Sequence, residues 1–502
     1  MKNIIYKIAI ILAVSVLSFS CEKEFLETYP TDGVSSAAVT QTTDNAWAAL
    51  NGIHRALYVR YEATQGNGGL GAHYIVVDCM GEDHVVNREQ WFNQVYKWNA
   101  HRNATYYYNR FPWRMFYQWV SNANTLINGI DDAVGPDEDK NIIKGQALIY
   151  RAFCHYEVVQ LYAERYRPGG GNTQDGIPYM LENTPEGQPR VSVEDVYTNI
   201  HTDLDQAITL LAGTPRKNKS HMNVDVARGL KARVLLTQGN YSGAAQWARD
   251  ARDLAEGSYS LMDSVSYYNG FRINSESEGE YIWASQIINT EQNDKWAAYG
   301  AYISRNFSSS AIRGNPRSIN SELYNLLSPT DVRTLNYSPD GEHAMLPSDV
   351  NLLSSHSRYP YTNQKFLAVS NSDSRVDVPH MRLSELYLIE AEAEARLGND
   401  GPAAAALLPM AQARDAQYTL STNTGQDLID EIMVQRRVEL WGEGFRWYDL
   451  KRLNEDLVRA GNHDPALADN VMFVAAGDIE WVWLIPQDEL DANDAIEQNP
   501  LN

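Results

Sequence analysis

Apolar residues recur every three to four positions through most of this chain, the spacing of amphipathic helices. Over 42–58, Trp47, Leu50, Ile53, His54 and Leu57 fall on one face. Over 114–134 the stripe is Phe116, Trp119, Val120, Ala123, Ile127 and Ile130. The stretch 138–166 is longer. There Ile142, Ile143, Ala147, Tyr150, Phe153, Cys154, Val158 and Leu161 keep the period until Pro168-Gly169-Gly170-Gly171 stops it. Ser192 is placed to cap a further helix running to about Ala212. Strand patterns are few: Tyr74–Val77, Tyr281–Gln286 and, near the end, Trp481–Pro486.

Residues 225–256 and 384–415 repeat one another at an offset of 159, matching Ala232 with Ala391, Gly239-Asn240 with Gly398-Asn399, and Ala244-Ala245 with Ala403-Ala404. Each copy predicts a long helix, a Gly-Asn turn and an Ala-rich second helix, and so resembles a tetratricopeptide hairpin. Between the copies, residues 261–378 turn rich in Ser, Asn, Tyr, Pro and Gly, the composition of long ordered loops. The pattern predicts a mainly α fold, with tetratricopeptide-like helical hairpins supporting a largely irregular, loop-rich, ligand-binding insertion. The framework covers about 37–260 and 379–460, and the insertion about 261–378, within one domain spanning 37–502.

Composition narrows the function. At 502 residues, 44% hydrophobic and 21% charged, the chain is globular rather than disordered, collagen-like or multiply membrane-spanning. A net charge of −22 repels phosphate and anionic lipid, which excludes an electrostatic binder of nucleic acid. Against 11 Phe there are 30 Tyr and 12 Trp, side chains that join an apolar face to a polar tip and suit a neutral ligand.

The first residues read as an export signal. Lys2 and Lys7 precede an apolar run, Ile8 to Leu17, that is short of the roughly 20 residues a membrane span needs. Leu17-Ser18-Phe19-Ser20-Cys21 then looks like a lipoprotein cleavage site, predicting a signal peptide over 1–20, lipid on Cys21 and a tether over 21–36. An ordinary secretory peptide with an incidental cysteine is the alternative. Cys79 and Cys154 are either one disulfide or two buried thiols, and neither has metal-type spacing.

Enzyme motifs are scarce: there is no GxSxG, HExxH, P-loop or EF-hand loop. Gly66-Asn67-Gly68-Gly69-Leu70-Gly71 formally fits GxGxxG. Its context is wrong for a dinucleotide, with a helix before it and a strand pattern after, so it reads as a flexible loop. Gly81-Glu82-Asp83-His84 reads as a solvated turn rather than a cation site. The main anomaly is aromatic. From Trp91 to Trp119, 12 of 29 residues are aromatic, nearly four times the chain average. Many are interleaved with Asn93, Gln94, Asn99, His101, Arg102, Asn103 and Asn109, and flat rings beside amides and a guanidinium suit the C–H face and hydroxyls of a sugar. The insertion holds a second mixture: Tyr267, Tyr268, Trp283, Trp296, Tyr299 and Tyr302 beside Asn269, Gln292, Asn293 and Arg305.

Five stretches carry a family resemblance. Phe25-Leu26-Glu27 with Pro30-Thr31-Asp32 stands near the start. Trp113 to Asn124 resembles a W..lY..i..aN helix, and Lys144 to Phe153 with Leu161-Tyr162 resembles the helix after it. Arg436-Arg437-Val438-Glu439-Leu440, continuing through Glu443-Gly444-Phe445-Arg446-Trp447-Tyr448-Asp449-Leu450-Lys451-Arg452, is similar to RRxEL…EGxRwxDLxR. Ile485-Pro486-Gln487-Asp488-Glu489 with Asn499-Pro500 resembles IPxxE…QNPxY, with Leu501 in place of the aromatic. Together they resemble the SusD/RagB outer-membrane lipoproteins of Bacteroidetes. Within the fourth stretch, the three- and four-residue spacing of Arg436, Glu439, Glu443 and Arg446 predicts charge pairs along one helical face.

The resemblance implies a non-catalytic, lipid-anchored protein at the cell exterior; the sequence itself offers no cofactor or metal site and does not decide calcium binding. Such a protein would bind oligosaccharides and pass them to a SusC-like TonB-dependent transporter. By region, it points to Trp91, Trp98 and Asn99 in the N-terminal segment, and to Trp296, Tyr299 and Tyr302 in the insertion, as ligand contacts. A RagB-like peptide binder, a surface glycosidase and a helical-repeat adaptor are the rival readings.

Overall fold

The computed structural model describes residues 36–289 and 294–501. The signal peptide, Cys21, nearly all of the tether, and Gln292 and Asn293 lie outside them. Eleven longer helices carry the architecture: α1 Thr43–Ala56, α2 Gly69–Met80, α3 Tyr107–Gly129, α4 Asp137–Tyr162, α5 Val193–Leu211, α6 Val224–Thr237, α7 Tyr241–Asp253, α8 Leu383–Arg396, α9 Asp400–Arg414, α10 Gly425–Glu439 and α11 Arg446–Leu453. Side-chain caps start several of them. Thr42 accepts from Asn45 N at 3.2 Å, Ser192 from Asp195 N at 3.1 Å and Asn240 from Gly243 N at 3.1 Å.

Packing runs in chain order through α3, α4, α5, α6 and α7, then passes directly to α8, α9 and α10. The two sequence repeats, α6–α7 and α8–α9, are therefore neighbours in space although about 130 residues of loop separate them in sequence. Small residues make the close approach possible: Ala232, Ala244, Ala245 and Ala248 pack with Ile389 and Ala393. Arg249 and Arg252 then bridge to Glu390 and Glu394 across the seam.

Strands are short: β1 His84–Val85, β2 Tyr281–Ser285, β3 Ser318–Ile319, β4 Tyr337–Ser338, β5 Thr362–Asn363 and β6 Val378–Arg382. β2 and β6 pair antiparallel, and the others form an antiparallel sheet in the order β1-β3-β5-β4. That sheet ties the N-terminal segment to the insertion.

Four local expectations are corrected. Tyr74–Val77 is helix, because α2 is buried on every side and tertiary packing overrides the β-branched preference of Ile75-Val76-Val77. Helix α3 starts seven residues before 114 and runs through Pro112, whose missing N–H leaves the Tyr108 carbonyl without its helical donor. Trp481–Pro486 is not a ladder strand; it follows a 3-10 turn over Ile479–Trp481, and Trp483 N and Leu484 N donate to Leu161 O and His101 O. The signature charges do not pair along one helix. Helix α10 stops at Glu439 and the chain turns through Gly442–Gly444. Arg436 then meets Asp449 at 2.7 Å, Arg446 meets Glu82 at 2.6 Å, and Glu439 meets Arg382 and Arg414 at 2.8 and 2.9 Å.

The same pairs remove the solvated turn expected at Gly81–His84. Glu82 and Asp83 are buried beneath Arg437 and Arg446. Cys79 and Cys154 are both buried free thiols.

Candidate functional site

Helix α2 holds the segments that make the site. The loop before it, 57–68, folds back on itself through Tyr61 N to Asn67 O at 2.9 Å. It is pinned beneath by Tyr61, whose hydroxyl donates to Ala56 O at 3.0 Å and accepts from Trp119 Nε1 at 2.6 Å. Glu62 clamps the loop to α3 through Arg110 at 3.1 Å and Arg114 at 2.6 Å. Glu62 and Ala63 (φ 53° each), and beyond α2 Phe92 (φ 69°) and Trp98 (φ 58°), occupy the left-handed region. Such conformations cost about 1–3 kcal/mol each and persist where packing over-determines the backbone.

The insertion meets this loop edge-on. Arg60 Nε lies 2.7 Å from Asp294, and Gln65 Nε2 donates to the Trp296 carbonyl at 3.0 Å. The Gln65 carbonyl in turn accepts from the Tyr302 hydroxyl at 2.9 Å. The Tyr302 ring stands edge-to-face against Trp91 at 5.8 Å and Phe92 at 5.1 Å. Trp296 is 45% exposed, tilts against Phe307 at 5.7 Å and has Lys295 Nζ 5.0 Å from its ring centre. Trp91, set against Tyr302, is half-buried.

The predicted contacts thus divide. Trp296, Trp91 and Asn99 keep solvent-facing surface, although Asn99 lies beyond the buried Trp98 with only Gln94 near its amide, at 3.5 Å. Trp98 is interior: it is 3% exposed, its indole N–H donates to Met80 O at 2.9 Å, and its ring abuts Trp481 at 5.0 Å. Tyr299 is interior too, its hydroxyl donating to Gly442 O at 2.5 Å and its ring set against Phe366. Tyr302 is the buried wall that joins the two segments. A large ring buries about 150–250 Å² and needs one partner for its polar tip, and these three find both indoors. Among the other insertion aromatics, Tyr267 lies under Arg414 and Trp283 packs on Phe153.

Sequence reasoning missed Arg60, Gln65, Asp294 and Tyr58. The glycines of the GxGxxG stretch, read as a flexible loop, were the available signal for a fixed loop seated on α2. Tyr58 borders a shallow groove of about 330 Å³ whose walls include Asn51, Asn218, Gln286, Lys217 and Ile288. Burial raises the Tyr58 phenol, opposed by Arg55, and burial likewise raises Tyr302. Both are hydroxyl donors at neutral pH. The surface therefore presents an exposed indole face, a second half-exposed indole, phenol and amide groups, and the Arg60–Asp294 pair. Such a surface can stack an uncharged ring and hydrogen-bond its hydroxyls.

A larger cavity, about 670 Å³, lies elsewhere, between the end of α4, α11 and the chain terminus. Its donors are committed to the protein. Arg190 serves Gly176 O, Asp175 O and Asn499, Arg165 serves Asn454, and Lys451 donates to Ala163 O at 2.8 Å and to Gln160 O. No cluster of three or more metal-ligating side chains occurs among the described residues.

Two family models match the chain: the SusD family over residues 335–501, and the family of starch-binding proteins associating with the outer membrane over residues 56–236. The chain belongs to the SusD/RagB family. It is thereby one of a group of carbohydrate-binding proteins associated with the outer membrane. A SusD-like carbohydrate binding protein from Bacteroides vulgatus superposes with a TM-score of 0.78 at 26% identity, covering 91% of this chain and 97% of that one. A laminarin-binding SusD-like protein shares the fold, with a TM-score of 0.69 at 20% identity over 92% and 99% of the two chains. SusD-like protein P38 of Formosa agariphila is 23% identical over 94% of this chain and 95% of its own. The matched stretches take in helices α2–α5, nearly all of α6, helices α8–α11 and the signature charges. The SusD/RagB segments leave Trp296 and Tyr302 outside, in the insertion between them.

Proposed function

We propose that this protein is a non-catalytic glycan-binding lipoprotein, anchored through Cys21 on the outer face of the outer membrane, that passes oligosaccharides to a SusC-like TonB-dependent transporter. The observation that carries the reading is the Trp296 face. It is a large exposed indole whose backbone is fixed by Gln65, which also holds Tyr302 against the half-exposed Trp91, and it lies two residues from the Arg60–Asp294 pair. An exposed tryptophan held rigidly at a loop junction is costly to leave bare, and stacking on a sugar ring covers it at little conformational cost. The laminarin-binding neighbour supports a glycan over a peptide as ligand. Transporter delivery and lipidation follow from the family and the leader sequence.

The test is affinity electrophoresis of residues 22–502 through gels containing laminarin, starch or galactan. Retardation by at least one, lost in a folded Trp296→Ala variant, is expected. Migration unaffected by any of a broad glycan panel, with calorimetric binding of peptides instead, overturns the glycan reading. Labelling with radioactive palmitate that survives in Cys21→Ser overturns the anchor.

A further inference from the structure

Although the chain and the insertion are both acidic, one corner of the insertion brings Arg305, Arg313 and Arg358 to the peptide around Ser357. Arg305 is 1% exposed and makes no ion pair among the described residues. Its Nε donates to His343 Nε2 at 3.2 Å and its Nη2 to Ser357 O at 2.6 Å, while its Nη1 is buried without a partner. Arg358 Nη1 donates to His356 O at 2.6 Å, and Ser357 N donates to Arg313 O at 2.8 Å. The peptide from His356 to Arg358 thus accepts from two guanidiniums, those of Arg305 and Arg358, and is tied to the backbone of Arg313. His356 is itself 3% exposed with both ring nitrogens unpartnered. Among the described residues Arg313 is exposed and makes no ion pair, and Arg358 pairs only with Glu342, at 3.5 Å and well exposed.

This group borders the candidate site. Arg305 stands two residues from Phe307, which supports Trp296. The Arg313–Gly314 turn is packed against Gln90, next to Trp91, and a Cβ on Gly314 would lie 2.6 Å from the Gln90 amide. Arg88, also exposed and unpaired among the described residues, belongs to the same segment as Trp91. Both imidazoles are neutral: burial, with Arg305, pulls His343 down to about 3 and His356 to about 4. They serve as polar walls and add no charge.

We infer that Arg305, Arg313 and Arg358, with His356, form an oxyanion subsite that receives a carboxylate or sulfate substituent of the glycan stacked on Trp296. A buried cation with an unused donor gains most from a charged acceptor, and a planar guanidinium matches a carboxylate or sulfate in shape. The net charge of −22 opposes a densely charged polyanion such as nucleic acid, so the subsite is matched to single anionic substituents on an otherwise neutral chain. The inference rests on the glycan-binding reading and names its substrate class.

The experiment uses residues 22–502 and each gel polysaccharide in three forms: unmodified, sulfated and carboxymethylated. Stronger retardation by a modified form than by its parent is expected, and the stronger of the two derivatives identifies the substituent. Arg313→Gln, at an exposed position, and Arg305→Gln are expected to weaken that retardation by about tenfold while leaving retardation by the unmodified parent unchanged. Circular dichroism checks the fold of Arg305→Gln, and Arg313→Gln carries the test if that variant unfolds. Equal retardation by all three forms, or a preference for a modified form that survives Arg313→Gln, overturns the subsite and leaves glycan binding standing. No retardation by any form overturns both.

Discussion

Trp296 and Trp98 are the same residue type in two physical situations, and the contrast can be measured. The Trp296 ring is nearly half exposed and supports little of the core. Trp296→Ala should therefore change unfolding free energy by no more than about 0.5 kcal/mol while abolishing glycan retardation. The Trp98 ring fills space against Trp481 and His101, and its removal should cost about 3–5 kcal/mol. Urea titration of both variants beside affinity electrophoresis checks the pair. A destabilised Trp296→Ala, or a Trp98→Ala as stable as the parent, contradicts the assignment. Nothing in the local sequence separates the two. Each sits among polar neighbours, and what decides Trp98 is the Met80 carbonyl at the end of α2, which takes its N–H. The clustering of aromatics marked the right segments; which ring faces water is set by long-range packing.

Among the elements, the hairpin turns were the most legible, because a Gly-Asn pair after an apolar stripe has a local cause. Gly239 and Gly398 adopt φ of 71° and 80° at equivalent positions. A Cβ at Gly398 meets nothing within 4 Å, whereas at Gly239 it would sit 2.6 Å from Pro168 Cγ. Left-handed backbone costs an L-residue about 1–2 kcal/mol, part of which the stiffer unfolded chain offsets. Gly398→Ala should thus lose about 0.5–1 kcal/mol and Gly239→Ala about 2 kcal/mol or more by urea denaturation. Equal losses would contradict the packing of the α6–α7 turn on Pro168. Helix α2 was illegible for the opposite reason. Its Ile-Val-Val run carries strand preference, and only burial on all sides makes it a helix.

Across the whole molecule, buried charge joins the insertion to the framework. Arg382 contacts Glu280, Glu439 and Glu443, Arg414 contacts Glu280 and Glu439, and Lys365 reaches Glu443 at 2.6 Å. Burial alone would raise the Glu439 carboxyl, but Arg414, Arg382 and Arg333 hold it well below the usual range. Glu392 is lowered in the same way against burial by Arg452 and Arg396. A carboxyl depressed in the folded state contributes stability that is complete above its unfolded value, about 4. That contribution is lost as pH falls through the folded value. Thermal unfolding should accordingly hold steady from pH 7 to 5 and fall steeply below about pH 4. Glu439→Gln should cost about 3–5 kcal/mol at pH 7 and flatten the acid limb, because it strands buried guanidiniums. An unchanged acid limb in that variant contradicts the network. The signature residues could be read as structural from the sequence, but apart from the local Asp449–Arg452 pair their partners could not, since Arg382, Arg414, Lys365, Glu392 and Glu82 lie on other elements.

The central claim is that a glycan lies on the surface formed by the 57–68 loop, Trp91 and the 294–302 segment. Hydrogen–deuterium exchange of the protein with and without a retarding oligosaccharide tests this directly. The account predicts slowed exchange in those three segments and none around the cavity lined by Arg165, Arg190 and Lys451. Protection confined to that cavity, with the Trp296 segment unchanged, would contradict it.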